Sequence, residues 1–449
     1  MALREATRYF GPTQWGPITV ALAWVTVFAY LGSPGIATLT MREIARPGAD
    51  AGSAFGRALA ATLVVSVGAG LAAVILGLPI YWDKGGTLGL VLILTPGIPL
   101  LALFMSSGSA LIGRGRNDAR AALDPISSAL LLVATFVVID AHLRSRGYAL
   151  AYLGYLSASG LLAAALATFF VRPKFRGIRR GVTSTLRASL PLGQFDLFAI
   201  AYARADSIML FLIRGNRPVA LYGVAYQIAN FLFAMPAMLS NALLPEFMSA
   251  DDDRQHFLAR RALDVILTVA LPLPLFGGLF ARPFVIWIAG PRFAGAGPPL
   301  ALLTGAAAIA LVNGYLFQMA IFAGAEKGLW RVIGTVTVAN LAANAVAVSL
   351  WGASGAASVM ILTEAIGLAM YWKIYRSRMR SPLGRRYPLS VVVALLGTLA
   401  LWWTMHAALG LEPGTGLVMF PRALALAVAY AALLWTITSA ARKLSQRQH

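Results

Sequence analysis

Apolar runs of about 20 residues follow one another along the chain, parted by short segments in which Gly, Pro, Arg and Asp collect. Thirteen such runs lie at 16–39, 56–82, 88–112, 122–143, 149–171, 191–214, 219–244, 263–289, 298–323, 329–350, 353–376, 386–410 and 420–441. The bilayer core offers no water to backbone groups, so each run must bond its own backbone and is predicted to be a spanning helix. The alternation of a membrane β-barrel is absent. The connections are short, which leaves no room for a separate catalytic domain. The pattern predicts an all-α polytopic membrane protein.

Composition agrees with the pattern, since 59% of the 449 residues are hydrophobic and 12% are charged. The net charge of +20 would suit a nucleic-acid partner, but its distribution does not. Of the 37 Lys and Arg, 26 fall in one alternating set of loops and 10 in the other, with Arg204 alone inside a span. That bias orients a membrane protein, placing the richer loops and the C-terminus in the cytoplasm. The same cations meet lipid headgroups, and no nucleic-acid partner is expected. The start, "MALREATRYF", has no apolar core before a small-residue cleavage site, so no removable signal peptide is expected.

A comparison of the chain with itself adds an internal repeat. "QWG" at 14–16 opens a helix that ends in "TLTMREIA", and "LYG" at 221–223 opens one that ends in "NALLPEFM". The span 191–214 precedes the second of these, whereas only ten residues precede the "GPTQWG" turn. The opening segment therefore reads as the tail of a missing first helix, in an architecture of six, six and two spans. Boundaries follow at 1–175 for a first lobe with five spans, 176–380 for a second lobe with six, and 381–449 for two further spans and a tail.

The stretches "YFGPTQWG", "GSPGIATLTMREIAR", "YARADSIMLFLI", "VALYGVAYQIANFLFAMPAMLSNALLPEFM" and "PFVIWIAGPRFAGAGPPLALL" resemble, in that order, the polysaccharide flippases of O-antigen type. These belong to the multidrug/oligosaccharidyl-lipid/polysaccharide exporter superfamily. The resemblance implies two six-helix lobes, alternating access, and a place in the inner or plasma membrane. It further implies movement of a polyprenyl-pyrophosphate-linked oligosaccharide from the cytoplasmic to the outer leaflet, alongside other polysaccharide-assembly proteins. In that family the first helix lines the cavity, and the repeat comparison leads to the expectation that it is missing from this sequence.

Ionisable groups at membrane depth are costly and mark sites. Arg204, fourteenth in its span, stands roughly 20 Å from one end of that span and 15 Å from the other. With the resemblance, it is a candidate contact for the pyrophosphate; a structural ion pair is the alternative. Asp206 lies about 200° around the helix from it and is a second candidate, for substrate or for a coupling ion. Arg42, beside Glu43 at a helix end, is a candidate for headgroup capture or an interfacial anchor. Glu364, mid-span in "MILTEAIGLAM", is a candidate H+ or Na+ coupling site or a hydrogen-bonded neutral acid. The amides Gln227 and Asn313 are candidate substrate contacts. Asn340 and Asn344, like Gln227 with Asn230, share a helix face, where interhelical bonding competes with sugar binding. Trp82, Trp287, Tyr371, Trp372 and Trp435 read as interfacial aromatics.

The absence of cysteine excludes thiol chemistry, and the four histidines form no metal-binding pattern. No phosphate-cradling glycine loop is present, so transport would draw on gradients or substrate supply. "DDD" at 251–253 reads as a solvated loop. Catalytic residues, metals and cofactors are therefore not expected. The competing functions are a drug or cation antiporter on the same fold, which Arg204 disfavours, and a membrane enzyme acting on lipid-linked sugars. The latter needs a large outer loop, and 282–297 is too short.

Overall fold

The apolar runs become helices for the reason that predicted them, and the breaks fall at Gly and Pro. The structure is a computed structural model that describes residues 1–84, 86–175, 178–249, 251–322, 325–378, 396–397, 399–400 and 419–446. Its helices are α1 (Ala2–Leu31), α2 (Ile36–Ala45), α3 (Ala51–Tyr81), α4 (Thr87–Leu94), α5 (Gly97–Gly113), α6 (Asn117–Asp140), α7 (Ser145–Val171) and α8 (Ile178–Arg214). They continue as α9 (Asn216–Ser249), α10 (Asp252–Ala270), α11 (Leu273–Ala289), a 3₁₀ turn (Pro291–Ala296), α12 (Gly297–Phe322), α13 (Glu326–Arg378) and α14 (Met419–Gln446).

Several expected spans are divided or joined. The run 16–39 is α1 followed by α2, with the break at 32–35. α1 reaches back to Ala2 and changes direction at Gly11, whose φ of 69° is non-helical. The run 88–112 is α4 and α5, bent by 44°. The runs 329–350 and 353–376 are the two arms of α13, which turns at Gly352 with φ 58° and ψ −130°. A residue with a Cβ rarely adopts that conformation, so this glycine is where the chain can reverse. The run 386–410 lies almost wholly outside the described residues. By length and composition, eight described helical segments can cross a membrane, or nine with the bent pair counted as one span. α8 is not among them, because Asp196, Arg204 and Asp206 lower its hydropathy.

The chain forms two compact units, Met1–Ala220 and Leu221–His449. The sequence reading divided the lobes at 175/176; α8 instead belongs with the first unit, because it packs against α1, α2 and α3. In that unit, Phe55 and Leu59 of α3, Leu111 of α5, Leu123 of α6 and Ala163 and Ala167 of α7 form a core with Ile44 of α2. α3 turns Val64, Leu71 and Ile75 outward, each more than 60% exposed, which is the apolar face a lipid environment requires. In the second unit α12 packs against α10, α11 and α13, and Met419 and Leu426 of α14 meet Phe280 of α11.

Polar caps close two helix starts. Asp50 accepts hydrogen bonds from the Ser53 amide and hydroxyl and from Lys174 Nζ, and these hold its carboxyl at about 2, well below the ordinary carboxylate value. Asp251, the first residue of the "DDD" triplet, accepts from the Arg254 amide at 2.9 Å and caps α10.

Candidate functional site

In the first unit the site grows from the antiparallel seam between α1 and α8. The seam is pinned at both ends by backbone contact. At one end Gly16 faces the carbonyl of Asn216, the first residue of α9 just past the end of α8, closer than a Cβ would tolerate. At the other, a Cβ on Gly193 would lie 2.5 Å from the Pro34 carbonyl carbon and 2.8 Å from the Gly35 nitrogen. Gly35 has φ +66°, and its amide donates to the Asp196 carboxylate. α8 is thereby fixed against the break between α1 and α2.

Arg204 lies on α8 between these contacts and is partly buried. α7 meets α1 near the seam's other end, where Tyr148 packs edge-on to Phe10 and Trp15 at 5.4 and 5.7 Å. One face of α7 then carries Tyr148, Tyr152 and Tyr155, with the last two rings 5.1 Å apart. Asp206 is 1% exposed, and its Oδ1 accepts from the neighbouring Ser207 amide at 2.6 Å. Arg42 is exposed on the last turn of α2, while Glu43 pairs with Arg57 at 3.1 Å.

In the second unit, Asn313 of α12 and Glu364 of α13 come together. Asn313 Nδ2 donates to Glu364 Oε2 at 2.7 Å and to the Glu364 carbonyl at 2.9 Å. Gly367 leaves room for that amide, since a Cβ there would lie 3.3 Å from Nδ2. Asn313 Oδ1 is buried and accepts no hydrogen bond from the described residues. Asn344 Nδ2 donates to Asn340 Oδ1 at 3.0 Å within one helix, so the bond found between this pair is not interhelical. Gln227 and Asn230 are exposed on α9, and no described contact joins Gln227 to Asn313.

Tyr371, expected at the interface, is instead 8% exposed and packs edge-on to Phe317 at 6.2 Å; it serves the α12–α13 seam. Trp82 and Trp435, at 76% and 70% exposed, remain outward-facing. Among the described residues no group of His, Cys, Asp or Glu could hold a metal ion.

Sequence reasoning did not single out Asp196 of α8 or the tyrosines of α7. Asp196 carried the same signal as Arg204, an ionisable group inside a run; the tyrosines carried none, because a phenol is ordinary in a span.

The chain matches the model of the polysaccharide biosynthesis protein family over residues 6–250. A search among curated proteins finds no match. Among solved structures it resembles the lipid II flippase MurJ in an inward closed conformation, with a TM-score of 0.75 and 14% identity over 99% of this chain and 96% of that one. It also resembles an inward-facing multidrug resistance MATE family transporter of the MOP superfamily, with a TM-score of 0.65 and 16% identity over 84% of this chain and 93% of that one. A MOP superfamily transporter from Pyrococcus furiosus follows, with a TM-score of 0.54 and 16% identity over 80% and 84% of the two chains. At these identities the likeness shows a shared polytopic fold.

Proposed function

Because the chain belongs to the polysaccharide biosynthesis protein family, we propose that it flips a polyprenyl-pyrophosphate-linked oligosaccharide across the plasma membrane by alternating access, in the assembly of a cell-surface glycan. The observation that carries this reading is Arg204, a permanent cation inside the seam of α8 with α1. A charge at the centre of a spanning helix costs about 2.5–3.5 kcal/mol on insertion scales. A pyrophosphate compensates that charge, and the planar guanidinium presents it with a two-pronged donor. A hydrophobic cation would be repelled from the same place, which disfavours a drug antiporter.

Energy for the cycle has a candidate entry in Glu364. Its carboxylate already takes one amide donor, and the buried Asn313 Oδ1 beside it is an acceptor. A proton or a sodium ion bound there would neutralise the carboxylate, and Asp206 is the corresponding buried acid of the first unit. Arg42, exposed at the end of α2, suits the first meeting with an anionic headgroup.

Arg204→Ala should abolish export of the lipid-linked glycan while the protein stays in the membrane at normal amount. Arg204→Lys should restore export only in part, since an ammonium lacks the fork. Full export by Arg204→Ala would refute the substrate role. Export and abundance lost together would instead identify a structural arginine.

A further inference from the structure

Three helices of the first unit end at one place, and each ends on an arginine. Arg46 closes α2, Arg114 closes α5 and Arg172 closes α7. The ends are in contact. A Cβ on Gly113 would lie 2.8 Å from the Met41 carbonyl oxygen and 3.0 Å from Ile44 Cβ. Ile44, Leu111 and Val171, from the last turn of each helix, share one buried cluster. Arg172 has φ 52°, a left-handed conformation that a helix end usually gives to glycine or asparagine. All three arginines are exposed. The carboxylates at this end are already taken, Glu43 by Arg57, Asp50 by Lys174, Asp118 by Arg116 and Asp124 by Arg120, at 2.7–3.2 Å. Among the described residues no carboxylate pairs with Arg46, Arg114 or Arg172. Each helix C-terminus contributes roughly half a negative charge, so three full cations leave a surplus of about 1.5 positive charges.

This charged rim borders an apolar surface. Leu150, Leu161 and Arg172 follow one another at intervals of about three turns, so the outward face of α7 ends in this arginine. Leu150 and Leu161 are 58% and 59% exposed, and Phe169 and Phe175, at 72% and 56%, flank Arg172. We propose that Arg46, Arg114 and Arg172 form a binding site for the phosphate of anionic phospholipids, whose acyl chains lie along Phe169 and the outward face of α7. The charge asymmetry assigns this end to the cytoplasmic leaflet, where anionic headgroups collect. Arg116 is left out of the site, because its guanidinium lies 3.8 Å from the Phe170 ring centre and is held by both oxygens of Asp118. An acidic protein partner would match the charge but not the exposed phenylalanines beside it. Arg204 takes no part, so the inference stands apart from the substrate that the chain moves.

The test uses the full chain in neutral detergent micelles, titrated with a fluorescent phosphatidylglycerol and with a phosphatidylcholine that bears the same chains. Phosphatidylglycerol should bind more tightly, and its advantage should shrink as salt is raised. Arg114→Gln and Arg172→Gln should each weaken its binding by about fivefold and together by about 25-fold. Phosphatidylcholine binding and the melting temperature without added lipid should not change. Arg217→Gln, which removes an exposed charge from the start of α9, should bind as wild type. Equal affinity of the wild type for the two lipids, or an advantage insensitive to salt, would overturn the site with no variant needed. A loss in Arg217→Gln as large as in the rim variants would assign the binding to net charge and overturn it as well. Inorganic phosphate at millimolar concentration should leave the lipid bound, because it offers nothing to Phe169 and the leucines; displacement would make the arginines a free-phosphate site and overturn the lipid assignment.

Discussion

Gly193 of α8 meets Pro34, in the break between α1 and α2, at a distance that leaves no room for a side chain. The approach is backbone to backbone, so neither partner can move aside as a flexible side chain would. Gly193→Ala should destabilise the first unit by about 1–3 kcal/mol, the usual cost of overpacking. Gly35→Ala should cost at least as much, since the φ of +66° adds to the crowding. Thermal unfolding in detergent measures both. Melting curves equal to wild type would show that α8 does not rest on this break.

Asp50 gives a pH dependence with a definite sign. Its partners lower the folded pKa to about 2 from an ordinary value of 3.8. A lowered acid pKa means that the carboxylate stabilises the folded state above the unfolded value. That contribution declines as pH falls below 3.8 and is gone once the pH has passed about 2. The site is open to solvent, so the effect is small and screened by salt. Asp50→Asn should lower the melting temperature slightly at pH 7, and the difference should fade as the pH drops through about 2. A difference that grows on acidification would contradict the assignment.

The helical class and the break at Gly352 were legible because they follow from backbone chemistry in lipid, whereas the break at 32–35 falls inside the run read as one span at 16–39. Membership of α8 was not legible. Its sequence continues toward α9 with only Gly215 between them, while its side chains and glycines face α1, α2 and α3, a relation that lives in tertiary packing. Asn313 and Glu364 were each visible as polar groups in apolar runs, yet nothing in a single sequence states that residues 51 apart share a hydrogen bond. Tyr371 misled for a related reason, since an aromatic near a helix end reads as interfacial until a neighbouring helix covers it.

The charge asymmetry makes an orientation testable without any functional assay. Reporter fusions at residue 180, in the first turn of α8, should read cytoplasmic, and fusions at 216, the first residue of α9, should read outside. An outside signal at 180 would invert every loop and remove the basis for a cytoplasmic headgroup contact at Arg42.

The pairing of Asn313 with Glu364 separates a coupling acid from a structural one. Glu364→Gln keeps an oxygen that can still accept from Asn313 Nδ2, now at 2.7 Å from Oε2, but it can no longer bind or release a proton or balance a cation. Transport in that variant should lose its dependence on an imposed proton or sodium gradient, with membrane abundance maintained. Asn313→Ala acts differently: it keeps the ionisable group and removes an amide donor from it, which should lower stability by about 1–3 kcal/mol. In the Glu364→Gln background the same alanine change should cost less, because the acceptor it abandons is no longer charged, and a double-mutant cycle on melting temperature reads that difference. Glu364→Gln that transports with its gradient dependence intact would leave the carboxylate a purely structural acceptor.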